Sequence, residues 1–503
     1  MKYLELLRLA FPEAHVAGTA MLILALGLTR QNRNAGATIF PDRRRREGNP
    51  SATNICSIVA ALGLTFAIIS VLRLPPTATF SGGMLVITPF TSLFKIICLV
   101  LALFTVILVR TGKAARNQPE YLAIILLATV GLMLLVGSEE LLMIFIGLEL
   151  TGLSLYVLTA FDKTDQRSAE AGLKYFLFGS TASAFTLFGL SLIYGMTGTT
   201  MLPAIAEKVS AAPLSPLLFA GIVMTLVGFA FKVAAAPFHL WAADTYQGAP
   251  VASAAFIASG SKVASFVVLG KLVLVGLAPL HGNAGWHALI IGWMPVLAAI
   301  SALSILVGNF VALVQKNVRR LLAYSAVAHA GYTLLGLLGG GPEGFTATLF
   351  YSTVYAFTLL GAFGVISLVR QETGGDDLED FAGLRTRSPL LAACMTIFML
   401  SLAGLPPLAG FFGKFYLFSA AMRAGENQGL LWLVALALFG SLVSLYYYLI
   451  VLKIVLLEHP ATSAGMMRVN LLQRISVGLL ALLVLFLGLM PEPLVARISA
   501  SLP

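Results

Sequence analysis

Gly228-Phe-Ala-Phe-Lys232-Val-Ala-Ala-Ala-Pro237-Phe-His239-Leu-Trp241 places a lysine and, five residues later, a proline inside a long apolar run. Such a run reads as a helix crossing a bilayer, for which about 20 apolar residues suffice. Proline inside a helix removes a backbone hydrogen bond and clashes with the preceding turn, so the helix kinks or breaks. A lysine at membrane depth costs at least ~2.5–3.5 kcal/mol and persists mainly where it lines a polar path. The stretch therefore predicts a broken membrane helix that carries a buried charge. Ala403-Gly-Leu-Pro406-Pro407-Leu-Ala-Gly410-Phe-Phe-Gly413-Lys414 repeats the design. Aligning Pro237 with Pro407 also sets Tyr246 on Tyr416.

The rest of the chain agrees with a membrane setting. Its 503 residues are 58% hydrophobic and 11% charged, with a mean hydropathy of +0.92. Soluble domains carry roughly 25% charge. Apolar runs near 10–29, 55–73, 90–110, 120–137, 141–160, 174–195, 214–236, 251–278, 288–308, 321–339, 347–369, 388–422, 429–452 and 472–490 predict fourteen spans. They are too long for barrel strands. The predicted fold is an all-α polytopic membrane protein of about 14 transmembrane helices. Broken helices 7 and 12 mark two five-helix repeats, helices 4–8 and 9–13. Five is odd, so the second repeat lies inverted, an arrangement that commonly surrounds an ion path. The predicted division is 1–115 (three N-terminal helices and an Arg-rich loop), 116–280, 281–457, and 458–503 (helix 14).

Twenty of the 32 Lys and Arg residues fall in the first loop and the other odd-numbered loops, against six on the opposite side. The positive-inside rule then puts the odd loops in the cytoplasm and both termini outside. The net charge of +10 is mostly this topological signal, and no nucleic-acid partner is expected. Lys2 and Arg8 before an apolar stretch resemble a signal peptide, but Arg43–Arg46 follow at once and resist export, so the first helix is read as a retained span. Cys56, Cys98 and Cys394 are far apart and lack metal or disulfide spacing, so no metal site is expected. No Gly-rich nucleotide fingerprint occurs either, and no cofactor is expected in this chain. The acidic stretch 370–388 reads as a solvated connection.

Four ionisable side chains fall at mid-bilayer depth. Glu149 lies ten residues from Glu139, ~15 Å along a helix. It reads either as a protonated carboxyl tied to a backbone carbonyl or as a carboxylate paired with a lysine on another helix. Lys232 suits a switchable site, because burial changes the protonation of lysine readily; snorkelling is the bland reading. Lys262 is surrounded by Ser259, Ser261 and Ser265, and Lys414 follows the second break. His329 extends a relay from Lys262 toward Lys414, or is simply a hydrogen-bonded core histidine. His239, beside the first break, is a further candidate. Lys95 and Lys271 lie nearer the outer ends of their helices and are expected to snorkel, with Glu139 and Glu140 solvating the outer rim.

Several segments carry a family likeness. Leu173-Lys174-Tyr175-Phe176, Tyr194-Gly-Met-Thr-Gly198-Thr, Phe231-Lys232 through Trp241, Gln315-Lys-Asn-Val-Arg319-Arg-Leu-Leu-Ala-Tyr324-Ser and Gly404-Leu-Pro-Pro407 through Gly413-Lys-Phe occur in order across about 115–460. Together they resemble the antiporter-like membrane subunits of respiratory complex I. The resemblance implies a proton-translocating role in NADH:quinone oxidoreductase, with NADH, FMN, iron–sulfur clusters and quinone held by partner subunits. It implies a pairing of Glu149 with Lys232, a connecting role for Lys262 and an exit role for Lys414. Other membrane subunits, the bilayer and protons are the implied partners, in a bacterial inner membrane. Subunits of Na⁺/H⁺ antiporters and membrane-bound hydrogenases share this core and stand as the alternative.

Overall fold

Backbone polar groups find no water in hydrocarbon, so a spanning chain satisfies them within helices. The computed structural model describes residues 2–35, 50–111, 117–211, 214–424, 429–459, 466–467 and 469–502; the Arg43–Arg46 cluster lies outside these. Its helices are α1 (Lys2–Leu9), α2 (Phe11–Ala35), α3 (Pro50–Leu72), α4 (Pro89–Thr111), α5 (Gln118–Val136), α6 (Leu141–Thr159), α7 (Gln166–Thr197), α8 (Leu202–Ser210), α9 (Pro216–Lys232), α10 (Leu240–Gly248) and α11 (Val251–Ala258). They continue as α12 (Gly260–Lys271), α13 (Trp293–Ala312), α14 (Val318–Leu338), α15 (Gly341–Thr373), α16 (Leu384–Arg387), α17 (Pro389–Ala403), α18 (Ala409–Arg423), α19 (Leu431–Leu457), α20 (Leu471–Leu489) and α21 (Glu492–Ser501). Two short antiparallel hairpins, β1 (Ala78–Phe80) with β2 (Leu85–Ile87) and β3 (Asn283–Gly285) with β4 (Ala288–Ile290), lie between helices.

Among the described residues twelve stretches are long and apolar enough to cross a membrane, and α9 and α17 are shorter apolar helices. These two are the first halves of the interrupted seventh and twelfth spans, so the fourteen expected crossings are present. Burial separates centre from rim. In the spans Val251–Gly276, Val318–Leu338 and Gly341–Thr373 the apolar window is 89%, 94% and 94% buried, against 33% for Gln166–Thr197. The eighth, tenth and eleventh spans therefore form the axis, and α7 faces outward.

Both expected breaks occur, and at each a side chain takes up some of the freed backbone groups. After α9 the chain turns through Ala234 at φ +60°. The Phe231 carbonyl accepts from Trp241 Nε1 at 3.1 Å, and the Ala236 amide donates to Ser304 Oγ at 2.8 Å. At the second break Gly404 takes φ +83° and the Gly410 amide donates to Ser401 Oγ at 3.2 Å. The eighth span, read from the sequence as the run 251–278, carries a further interruption. It is interrupted at Ser259 (φ −110°, ψ −82°), and α12 runs into a π-helical turn over Leu272–Gly276. No proline marks this interruption, so apolar patterning does not reveal it. Glycine lets paired helices approach closely, as small residues do in membranes. A Cβ on Gly147 would lie 3.0 Å from the Leu135 amide of α5, and one on Gly331 would lie 2.7 Å from the Ser301 carbonyl of α13.

The acidic stretch 370–388 is not simply solvated. Asp376 is buried and forms ion pairs with Arg319 and, at 2.7 Å, with Arg370. Asn317 donates to Asp376 at 2.7 Å, and Arg319 also donates to the Ala249 carbonyl at 2.9 Å, tying α14 to the turn between α10 and α11. Nearby, Asp244 holds Lys174 at 2.8 Å and Arg320 at 2.6 Å. Opposite charges meet here because Asn317-Val-Arg319-Arg320 and Asp376 close over the same end of the bundle.

Burial opposes the Asp376 charge, yet the two guanidiniums and Asn317 hold its carboxyl below the ordinary 3.8. A lowered acid binds fewer protons folded than unfolded, so its stabilisation is complete above 3.8 and is lost as pH falls through the folded value. Asp376→Ala, which strands a buried Arg319, is expected to cost about 3–5 kcal/mol in thermal unfolding of the detergent-purified protein. The gap between wild type and Asp376→Asn is expected to shrink only in that acid range.

Candidate functional site

An ammonium buried in the axis needs hydrogen-bond acceptors, and helix backbones can supply carbonyl oxygens. Lys232, at the end of α9, is 9% exposed and donates to the Leu148 carbonyl of α6 at 3.3 Å. Its Nζ sits 5.7 Å from the centre of the Tyr156 ring. Lys262 on α12 donates to the Ala326 carbonyl of α14 at 3.0 Å and lies 5.4 Å from the Tyr355 ring. Lys414 on α18 donates to the Ala403 carbonyl, at the end of α17, at 3.0 Å and to Ser441 Oγ at 2.9 Å; the Tyr332 ring is 5.3 Å away. Each of the three thus sets its ammonium on a backbone carbonyl and an aromatic face, as Lys271 does on Val136 and Phe90. No carboxylate lies within ion-pair range of these three lysines among the described residues. A carbonyl and a ring face solvate a cation without binding it as tightly as a carboxylate does.

The expected Glu149–Lys232 ion pair is therefore not formed. Glu149 is half-buried and accepts a hydrogen bond from Ser183 of α7, while Lys232 turns to the carbonyl one residue before Glu149. The two remain neighbours along one face of α6, where Gly152 and Tyr156, one and two turns beyond Glu149, also meet the ammonium. A Cβ on Gly152 would lie 2.6 Å from Lys232 Nζ and 3.3 Å from Tyr156 Oη, so the absent side chain makes room for the ammonium.

His329 is 2% exposed and occupies the gap between Lys262 and Lys414. Its Nδ1 is 2.5 Å from Tyr351 Oη and its Nε2 is 2.9 Å from Tyr448 Oη, which in turn is 2.5 Å from Ser325 Oγ. The rings of Tyr355 and Tyr332, which carry Lys262 and Lys414, lie 4.9 Å and 5.6 Å from the imidazole. His329 is thus both hydrogen-bonded and central to the row. His239 stands apart: it is half-buried at the first break, its nearest ring contact being Tyr324 at 6.3 Å.

Sequence reasoning passed over the tyrosines. Tyr351 and Tyr355 are one helical turn apart on α15, and Tyr446-Tyr-Tyr448 stands within the apolar run of α19. Hydroxyls four residues apart in an apolar helix were the available signal. The snorkelling expectation for Lys95 and Lys271 is also corrected. Lys95 is 1% exposed and paired with Glu13 at 2.7 Å. Lys271 is 3% exposed, donates to the Val136 carbonyl at 3.0 Å and lies 3.4 Å from Glu139. Carboxylates on α2 and on the α5–α6 loop reach them inside the bundle. Glu140 does not solvate the rim either; it is buried and caps α6 through the Met143 amide at 2.8 Å.

The family described as NADH:quinone oxidoreductase/Mrp antiporter, TM, matches residues 138–444. The chain belongs to that family. NADH-quinone oxidoreductase subunit N 2 of Acidobacterium capsulatum is 44% identical over 504 residues, covering 98% of each chain. A chain of the respiratory complex I from Thermus thermophilus with bound aureothin superposes with a TM-score of 0.77 at 33% identity, covering 97% of this chain and 99% of that one. A chain of the Mrp complex from Dietzia sp. shares the fold at a TM-score of 0.78 and 20% identity, covering 97% and 96%. The family match contains Glu149, Lys232, Lys262, His329 and Lys414, and leaves Glu13 and Lys95 outside it. This member of the family is a multi-pass membrane protein.

Tyr448→Phe removes the partner of His329 Nε2 and Ser325 and is expected to cost about 1–3 kcal/mol. Tyr446→Phe, at a side chain 62% exposed, is expected to stay within about 0.5 kcal/mol. Thermal or denaturant unfolding in detergent compares the two.

Proposed function

We propose that this chain is the N-type membrane subunit of a bacterial NADH–quinone oxidoreductase and translocates protons while partner subunits transfer electrons from NADH to quinone. One observation carries the reading. Lys232, Lys262, His329 and Lys414 are all buried, Lys262, His329 and Lys414 are joined by the Tyr355 and Tyr332 rings, and Lys232 and Lys414 belong to the two broken spans. The name borne by the Acidobacterium capsulatum relative supports the choice of subunit. Among the described residues no group of three or more His, Cys, Asp and Glu is placed to hold a metal ion. In this reading NADH, FMN, iron–sulfur clusters and quinone belong to partner subunits, and this chain works with protons alone.

The proposed sequence begins at Lys232, which takes a proton from the cytoplasmic side. Glu149, on the same face of α6 as Gly152 and Tyr156, stabilises the ammonium without contacting it. The proton passes to Lys262 and then to His329, which has a tyrosine hydroxyl on each ring nitrogen. Lys414 receives it and releases it outward. Tyrosine hydroxyls both donate and accept, so Tyr351 and Tyr448 keep the imidazole hydrogen-bonded in either tautomer. His239 is not needed for this path. The excess of basic residues on odd loops supports an orientation with both termini on the periplasmic side of the inner membrane.

Lys232→Ala is expected to lower NADH-driven proton pumping at least tenfold in an assembled complex, and Glu149→Ala several-fold. Gly152→Ala, which crowds the Lys232 ammonium, is expected to lower it by a smaller factor. The measurement is acidification of proteoliposomes containing the purified complex, normalised to NADH oxidation. Full pumping by an assembled Lys232→Ala complex would overturn the reading, and sodium transport by the chain without NADH would favour an antiporter.

A further inference from the structure

Outward of the axis lies a cavity of about 710 Å³ that the proposed row does not use. Its walls come from both halves of the chain, including Lys271, Glu139, His281, Trp293, Phe345 and Leu502. Three observations converge on it. The first is a cluster of paired charges at its wall. Lys271 lies 3.4 Å from Glu139 and donates to the Val136 and Ser138 carbonyls at 3.0 and 3.4 Å. Behind that pair, Lys95 lies 2.7 Å from Glu13, and a Cβ on Gly137 would meet Lys95 Nζ at 3.0 Å. Both ammoniums therefore clasp the C-terminal end of α5, where the helix dipole favours cations.

The second observation is the π-helical turn Leu272–Gly276, which starts directly after Lys271; Leu274 and Val275 from it line the cavity. Single π turns inside helices often mark functional sites. The third is a set of hydroxyls between His329 and the cavity floor. Tyr351 Oη is 2.5 Å from His329 Nδ1, and Thr333 Oγ1 donates to the His329 carbonyl at 2.7 Å. Thr348 Oγ1 donates to the Gly344 carbonyl at 2.8 Å and passes 3.5 Å from the Thr333 carbonyl. All three hydroxyl residues are at most 3% exposed. Phe345 and Leu338, at the floor, are three and five residues further along α15 and α14, roughly 4.5–7.5 Å of helix.

We propose that this cavity is a second outward proton outlet, fed from His329 past Tyr351, Thr333 and Thr348 and ending at the Lys271–Glu139 pair. A proton leaving a His329 ring nitrogen crosses the hydroxyls and intervening water to the Glu139 carboxylate. The carboxylic acid so formed returns it to water in the cavity, and Glu139 again pairs with Lys271. Lys95 and Glu13 act as positioning residues that hold Lys271 toward Glu139. This outlet is separate from Lys414, and it rests on the proton-translocating reading and its orientation.

The test uses the assembled complex in proteoliposomes. Ala278→Cys at the cavity wall is modified in the detergent-solubilised complex, before reconstitution, with a negatively charged methanethiosulfonate, and the complex lacking the added cysteine is treated in parallel. Pumping per NADH oxidised is expected to fall at least twofold on modification and to recover when the mixed disulfide is reduced. Glu139→Gln, which keeps a hydrogen-bonding amide but cannot exchange a proton, is expected to lower pumping at least threefold. Lys271→Arg, which keeps a cation paired with Glu139, is expected to assemble and to pump as the wild type does. A purely structural pair would leave pumping by Glu139→Gln intact. Full pumping by the modified Ala278→Cys complex, or by Glu139→Gln, would overturn the outlet. If Lys232→Ala abolishes pumping while these variants do not, only the outlet falls; if Lys232→Ala pumps fully, the general reading falls first.

Discussion

Solvating an ammonium where there is little water is the constraint on which the rest of this protein depends. Lys232, Lys262 and Lys414 meet it in one way, with a backbone carbonyl at 3.0–3.3 Å and an aromatic face at 5.3–5.7 Å. The helix interruptions follow from the same need. Ala403 ends α17, and its carbonyl, which has no helical partner beyond the break, holds Lys414. Lys232 ends α9, and Lys262 stands three residues past the interruption at Ser259. A broken helix is costly in hydrocarbon unless protein buries it, so the most enclosed spans gather around the three lysines.

The same constraint separates two kinds of charge. The central lysines have no carboxylate in contact, so either protonation state can be accommodated by small movements of oxygens and rings. Lys95 and Lys271 are held by Glu13 and Glu139, and on the opposite face Asp376 and Asp244 knit the two halves together. Buried ion pairs often return little net stability. Their placement at the ends of the bundle, away from the axis, fastens two faces around the axial cations.

Much of this was legible in the chain. Prolines inside apolar runs located both broken helices, and lysines at mid-span located the row. The motifs around Lys232, Arg319 and Lys414 pointed to the family to which the chain belongs. What stayed hidden has a common cause. Glu13 and Lys95 are 82 positions apart, and Lys271 and Glu139 are 132 apart, so nothing local announces that they meet. Each lysine alone reads as a snorkelling side chain near a helix end. The acidic stretch at 370–388 looked solvated for the same reason, since Asn317 and Arg319 reach it from another span.

The sequence by itself determined the membrane setting, the number of crossings, the two proline breaks and the identity of the axial charges. These depend on apolar length, on proline's missing amide and on the cost of charge in lipid, all of which act along the chain. Only the tertiary structure decided which carbonyl and which ring each ammonium meets. It also decided that Glu149 turns to Ser183 instead of Lys232, and that tyrosines from α15 and α19 enclose His329. Those choices arise where helices remote in sequence pack together, because a buried polar atom takes whatever partner the packing brings within hydrogen-bond reach.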